Sequence, residues 1–444
     1  MARQKTLIVG LGVTGVSCAR YLASRDDVTV VDTREAPPGL AEFEREFPGV
    51  PVHVGAARID DVGRFDRVVV SPGVSLGHPL LADVPSRVAM VSDIDLFCEA
   101  ARAPVVAVTG TNGKSTVTSL VGHLLNGAGV RAVVGGNLGV AALDLLDRHA
   151  EAYVLELSSF QLERMAAHHF RAATILNVTE DHLDRHGSMA AYVAAKQRIY
   201  RDCELAVAHR AETATYPESG CTMTTFGSDA PERGHWGIRM HEGQRWLAQG
   251  ESLIVASASL PLAGAHNELN VLAAMALTSV FGVSLDVVAE AACRFEGLPH
   301  RCQRVAEKGG VVYINDSKAT NVGATEAALV GLGTTLPGDA PHIVLIAGGD
   351  GKGADFRALA DVVGRFVKAL VLLGRDAPAL QAALGEQTDT HRVNDMDEAV
   401  RLAAQLAARG DLVLLSPACA SLDMYRNFAA RGDHFARAVE VLAA

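Results

Sequence analysis

The chain has 444 residues, more than one hydrophobic core usually organises, so two or three domains are expected and three is the working number. Its composition, 49% hydrophobic with 42 glycines, excludes a disordered chain and suits an α/β protein whose glycines sit at strand-to-helix turns. A formal net charge of −11 argues against a general nucleic-acid or anionic-membrane binder, so any phosphate chemistry must be local.

The apolar run that starts at Thr6 is interrupted by Gly10, Gly12 and Gly15, with no small-residue cleavage site behind it, and reads as a strand rather than a signal peptide. No apolar stretch approaches the length that spans a bilayer. The seven cysteines form no C-x-x-C pair, which points to reduced thiols, no zinc site and a cytoplasmic protein. The stretch 10–15 (Gly-Leu-Gly-Val-Thr-Gly), followed by Asp32 at the end of the next strand, looks like a dinucleotide fingerprint. By itself it also suits glycines that serve only helix–strand packing.

Short apolar runs at 7–9, 28–31, 68–70, 105–108, 154–157 and 174–178 alternate with helical stretches, the pattern of a parallel sheet covered by helices. A second series at 311–314, 343–347, 370–373 and 412–415 predicts a separate α/β domain. Between the two series, residues 205–262 lack helical periodicity and read as short antiparallel strands of no legible function. Boundaries are expected near residue 93 and at Gly297-Leu298-Pro299, giving domains 1–93, 94–298 and 299–444.

The stretch that carries most chemistry is 105–116, an apolar strand, a glycine turn, and a helix whose core stripe is Val117, Leu120, Val121 and Leu124. Amides of the turn and of the helix start would hold phosphate oxygens, with Lys114 as a point charge and a hydroxyl available to magnesium. It is a variant phosphate loop, because the first glycine of the usual pattern falls at Val108. Glu156, at the end of a hydrophobic strand, is a buried carboxylate in need of a partner, and magnesium on ATP is the natural one. Residues 179–186 are dense in metal-ligand types, with His182 the favoured candidate. Lys196 falls on the same helical stripe as Met189, Tyr192, Val193, Ile199 and Tyr200, so it faces inward. It either snorkels or is a lysine whose ammonium burial disfavours, leaving an amine able to react.

Taken in order, residues 110–116, 155–161 (Leu-Glu-Leu-Ser-Ser-Phe-Gln), 177–184, Lys196, His266-Asn267-x-x-Asn270, 297–301 and 315–321 resemble the Mur ligases over essentially the whole chain. The resemblance implies a Rossmann-like N-terminal domain for a UDP-linked substrate, a central P-loop ATPase-like domain with a small antiparallel part, and a Rossmann-like C-terminal domain for the amino acid. It implies an ATP-dependent amide ligase that joins glutamate to UDP-N-acetylmuramoyl-L-alanine in peptidoglycan precursor synthesis, acting as a monomer. Carried over by position, ATP falls to Gly110, Thr111, Asn112, Gly113, Lys114, Ser115, Thr116, Asn270, Arg301 and Asp316. One magnesium falls to Ser115 and Glu156, and a second to His182 with a carbamylated Lys196. The UDP substrate falls to Val13, Thr14, Asp32, Thr33, Arg34, Ser71, Gly73 and Asn137, and glutamate to Lys318, Thr320, Lys352, Ser421 and Phe428. Within the family, Asp316-Ser317-Lys318 stands where other members carry a Tyr-Ala-His-like stretch, and the D-N-P-R stretch of the diaminopimelate ligases is missing. The folate polyglutamate synthetases lack the N-terminal domain that residues 10–73 supply. The residues alone leave three classes open: amide ligase, nicotinamide dehydrogenase, and nucleotide-binding module without chemistry.

Overall fold

A computed structural model describes the chain except residues 1–2, 57, 60, 148, 219, 263, 337, 339 and 443–444, so the outer ends of the first and last expected domains lie outside the described residues. The described chain forms three sheets, met one after another along the sequence. The first is wholly parallel, in the order Val52–His53, Asp27–Val31, Lys5–Val9, Arg67–Val70, Ala89–Val91. Strand order reverses between Lys5–Val9 and Arg67–Val70, so the loops after these two strands flank the crevice where such sheets place ligands.

The second sheet has nine strands. Val105–Thr109 lies between Ala152–Glu156 and Phe170–Ile175, which brings the loops after all three strands to one edge. Its five residues are all buried, as a parallel strand covered on both faces requires. The third sheet runs Gln303–Lys308, Val311–Asn315, Leu412–Leu415, Ile343–Gly348, Val367–Leu373, Asp389–Arg392, parallel except for its first hairpin. Here the loops after Val311–Asn315, Leu412–Leu415 and Ile343–Gly348 share an edge.

Two sequence expectations are corrected. Only Trp236–His241, Gln244–Gln249 and Ser252–Ala256 of the 205–262 stretch are antiparallel. Cys203–His209 and Thr222–Phe226 extend the parallel ladder beside Phe170–Ile175, because their alternate residues find a covered face there. The strand expected at 174–178 is instead Phe170–Ile175. Residues 177 and 178 leave the ladder: the Asn177 carbonyl accepts from the Thr111 amide at 3.0 Å, and the Val178 amide donates to Glu212 Oε2 at 3.1 Å.

The helix Asp93–Ala100 begins at the first expected boundary, capped by Ser92 and Asp95 in a reciprocal box. Leu96 and Phe97 on this helix pack in one apolar cluster with Ile8 and Val69 of the first sheet and Tyr153 and Leu155 of the second. The buried clusters of the third sheet draw only on residues of the C-terminal part. No described helix is long and apolar enough to cross a membrane.

Candidate functional site

The turn between Val105–Thr109 and the helix Lys114–Gly127 is shaped by two glycines with positive φ, Gly110 at 150° and Gly113 at 82°. A Cβ on Gly113 would stand 2.6 Å from Asn270 Oδ1, so the loop can lie against Asn270 only without a side chain there. Asn177 holds the turn: its carbonyl and Oδ1 accept from the Thr111 and Asn112 amides at 3.0 and 2.8 Å, and its Nδ2 donates to the Asn112 carbonyl at 3.1 Å. The expectation that the amides of the turn bind phosphate is therefore corrected for these two, which the protein already uses. The helix start carries no side-chain cap, so its first-turn amides are the ones left for an anion. Nothing in the local text marked Asn177 for this task, since its partners lie 65 residues away.

Lys114 Nζ bends back to the carbonyls of Gly110 and Thr111, at 3.0 and 2.8 Å, and Lys196 Nζ donates to the same Gly110 carbonyl at 2.8 Å. Ser115 Oγ donates to Glu156 Oε2 at 2.5 Å and receives Arg301 Nη2 at 2.5 Å. Asn137 Nδ2 donates to Glu156 Oε1 at 2.7 Å. Glu156 is buried as expected, but its partners here are Ser115 and Asn137. Around these groups lies a cavity of about 760 Å³. Residues 111–116, Asn137, Glu156, His182, Lys196, Asn270, Arg301, Asp316, Lys318, Thr320 and Lys352 all line it.

The cavity lining sets Lys114, Lys196, Arg301, Lys318 and Lys352 beside Glu156, Asp181, Glu212, Asp316 and Glu326. Burial pushes Lys114, Lys196, Arg301 and Lys318 down from their ordinary values, Lys318 to about 8. Neighbouring cations add to the effect: Arg301 on Lys114, Lys114 on Lys196, and Arg301 and Lys114 on Lys318. Phosphate oxygens would relieve the crowding among Lys114, Arg301 and Lys318, to which Glu156 is the opposing charge. Burial likewise lowers His182, favouring the neutral imidazole that metal binding needs. The Glu156 carboxylate and the Ser115 hydroxyl are oxygen donors of the kind magnesium takes, with phosphate oxygens to complete the shell, and the His182 imidazole is the softer donor of the set. Among the described residues no three or more His, Cys, Asp and Glu side chains gather into a group that could hold a metal ion.

Comparison with known proteins covers the same three regions. Residues 4–92 match the N-terminal domain of MurD-like Mur ligases, 108–278 the Mur ligase middle domain, and 300–419 the Mur ligase glutamate ligase domain. The chain is 49% identical over 441 residues to the UDP-N-acetylmuramoylalanine--D-glutamate ligase of Pseudomonas aeruginosa, across 98% of each chain. It is 46% identical over 444 residues to the protein of that name from Legionella pneumophila, across 98% of this chain and 99% of the relative. The chain belongs to the Mur ligase family. Its fold is shared with the MurF structure from Acinetobacter baumannii (TM-score 0.64, 18% identity, 98% of this chain and 93% of that one) and with UDP-N-acetylmuramate-alanine ligase MurC from Thermotoga maritima (0.62, 20%, 98% and 99%).

The remaining residues expected from the Mur ligase resemblance lie outside the cavity lining. In the N-terminal domain they gather at the strand-order reversal. Val13 opens the helix Val13–Leu22 and is exposed, Thr14 follows it, and Thr33, Arg34 and Gly73 are exposed nearby. Ser71 is buried and donates to the Gly10 carbonyl at 3.0 Å. Gly10 and Gly15 are packing glycines, since a Cβ would meet Ser71 Cβ at 2.9 Å and the Gly10 carbonyl oxygen at 2.0 Å. Above Gly12 a Cβ would meet nothing within 4 Å, so packing does not demand that glycine. Asp32 accepts from the Leu11 amide at 2.7 Å and from Arg34 Nε and Nη2 at 2.9 and 2.7 Å. Burial would raise its pKa, but the bonds from Arg34 and the Leu11 amide outweigh it and bring the carboxyl to about 2. In this state both Asp32 oxygens have protein partners, unlike an acid left free for a ribose diol.

In the C-terminal domain Ser421 is buried and Phe428 opens the helix Phe428–Glu440. Lys318 Nζ stands 4.5 Å over the Phe428 ring, which joins this corner to the cavity. Lys352 is exposed but adopts φ 52°, and His182, His300, Cys302 and Ala418 also have positive φ. Asp61 and Glu242 share this conformation away from the cavity, so it is the place of Lys352 in the cavity lining that sets it apart from a chance surface lysine.

Proposed function

We propose that the chain is an ATP-dependent ligase that joins D-glutamate to UDP-N-acetylmuramoyl-L-alanine, releasing ADP and phosphate, with residues 1–93, 94–298 and 299–444 receiving the UDP substrate, ATP and the amino acid. The observation that carries this reading is the cavity at the phosphate loop, where Lys114, Arg301 and Lys318 from the central and C-terminal domains line one space with Glu156. Relatives named for this reaction match the chain nearly end to end, which supports the substrate assignment.

A carboxylate is a poor acyl donor. In the proposed reaction an oxygen of the alanyl carboxylate attacks the γ-phosphorus, the bond to ADP breaks, and an acyl phosphate forms. The glutamate amine then adds through its lone pair to the acyl carbon. The tetrahedral intermediate expels phosphate, and the nitrogen loses a proton. Lys114, Arg301 and the first-turn amides bear on the charge that grows on the phosphoryl oxygens. Asn270 and Asp316 hold the nucleotide, Asn137 the sugar-peptide arm, and Val13, Thr14, Asp32, Thr33, Arg34, Ser71 and Gly73 the UDP. Two magnesium ions, held by Ser115 with Glu156 and by His182 with carbamylated Lys196, would supply charge neutralisation between carboxylate and triphosphate. Lys318, Thr320 and Lys352 face one glutamate carboxylate, with Ser421 and the backbone at Phe428 for the other. The chain works on small molecules in the cytoplasm as a monomer, a state that light scattering of the pure protein checks.

The deciding experiment is phosphate release with ATP, UDP-N-acetylmuramoyl-L-alanine and a panel of amino acids. D-Glutamate alone should support release. Release without any amino acid, or equal release with L-glutamate, would overturn the substrate assignment.

A further inference from the structure

Arg431, on the helix Phe428–Glu440, is only 2% exposed, and among the described residues no carboxylate lies at ion-pair distance from it. Its fork is spent on main-chain carbonyls and one hydroxyl. Nε donates to Ser317 Oγ at 3.0 Å, Nη2 to the carbonyls of Ser317 and Cys419 at 2.8 and 3.1 Å, and Nη1 to the carbonyl of Gly348 at 3.4 Å. Ser317 and Cys419 lie in the loops that follow the strands Val311–Asn315 and Leu412–Leu415, and Gly348 ends the adjacent strand Ile343–Gly348, at the point where the third loop begins. The same loops carry Lys318, Ser421 and Lys352. Ser317 Oγ also donates to the Phe428 carbonyl at 2.8 Å, so the helix start is fastened to the same point.

A buried guanidinium without an anion is costly, and packing alone could be met by an apolar side chain of similar size. The neighbouring backbone shows how tightly the loops are drawn together. A Cβ on Gly349, at φ 132°, would stand 2.2 Å from the Ala420 carbonyl oxygen and 3.2 Å from Arg431 Nη1. Ala418 and Lys352 are held at φ 57° and 52°, conformations that persist only when the surroundings over-determine them.

We propose that Arg431 is a positioning residue for the acidic amino-acid substrate, its buried fork setting the relative positions of the three loops that grip glutamate. The proposal rests on the reading of those loops as the glutamate site. Arg431 touches carbonyls rather than substrate, so its removal should act on glutamate through the loops and leave the other two substrates nearly untouched.

The test begins with wild-type phosphate release. No release with D-glutamate would sink the glutamate reading itself, apart from any variant. Given release, Arg431→Ala and Arg431→Lys should each raise the KM for glutamate at least roughly tenfold, with the KM for ATP and for the UDP substrate held within about twofold. Lysine should fail because a single ammonium cannot span the carbonyls of three loops. Millimolar guanidinium should partly restore the glutamate KM of Arg431→Ala, a rescue that a general loss of stability would not show. An equal rise of all three constants, or a normal glutamate KM in Arg431→Lys, would overturn the proposal. Should both variants fail to fold, Ser317→Ala removes the hydroxyl partner alone and should raise the glutamate KM several-fold. An unchanged glutamate KM there would likewise overturn the proposal.

Discussion

Glu156 is held by Ser115 and Asn137, while Lys114 bends back onto the carbonyls of its own turn, so both expected phosphate-site residues have protein partners. On the proposed mechanism they act on charge that develops only during transfer. Lys114→Ala and Glu156→Ala should each lower turnover at least about a hundredfold while binding of the UDP substrate persists, as steady-state kinetics and calorimetric titration would read. Lys318 supplies a pH signature. Burial, with Arg301 and Lys114 beside it, brings its pKa to about 8. The ammonium binds a carboxylate and the neutral amine does not, so glutamate affinity is fully present below that value and lost above it. Glutamate KM should therefore rise as pH climbs past about 8, and Lys318→Arg, whose guanidinium stays charged, should lose that rise.

The helix Met189–Gln197 shows how one element sets one residue's chemistry. Ser188 caps it by accepting from the Ala191 amide, and Tyr192 and Lys196 lie one turn apart on the buried face. Lys196 is 1% exposed, its Nζ 4.5 Å over the Tyr192 ring, and Tyr192 Oη lies 3.2 Å from Thr111 Oγ1 on the phosphate loop. Burial first, and Lys114 second, push its pKa well below the ordinary value, which favours the neutral amine beside the cavity. Such an amine can add through its lone pair to carbon dioxide and lose a proton, forming the carbamate. Mass spectrometry under carbon dioxide should find the added mass on Lys196. Lys196→Ala should be nearly inactive, with partial rescue by a short carboxylic acid. An unmodified ammonium in a high-resolution, metal-bound structure would exclude the carbamate.

Across the whole molecule, the first two sheets are joined by more than their shared apolar cluster. Arg164, which follows the short helix Ser159–Leu162, donates to the carbonyls of Val70, Ser71 and Val74 at 3.2, 2.8 and 2.7 Å. Arg185 also reaches the Val74 carbonyl, at 3.2 Å, and Glu163 pairs with both arginines. The loop that carries Ser71 and Gly73 is thus fastened to the segment that carries His182. Arg164→Ala removes its bonds to the Val70, Ser71 and Val74 carbonyls and so loosens this loop, and it should raise the KM for the UDP substrate several-fold with that for ATP unchanged. Equal effects on both substrates would show that Arg164 serves stability alone.

By itself the sequence determined what depends on near neighbours in the chain. The apolar runs specified most of the parallel strands, the glycine turn before Lys114 announced an anion site, and the stripe from Met189 to Tyr200 turned Lys196 inward. These follow from periodicity and backbone sterics, which act over a few residues. What only the tertiary structure decided are contacts between residues distant in the chain. Asn177 takes two amides of the phosphate loop, Arg301 reaches Ser115 from 186 residues away, and Arg431 ties three loops at one sheet edge. The stretch 203–226 joined the parallel ladder for the same reason: strand direction is set by the neighbouring strand and by what covers the sheet, neither of which local text records.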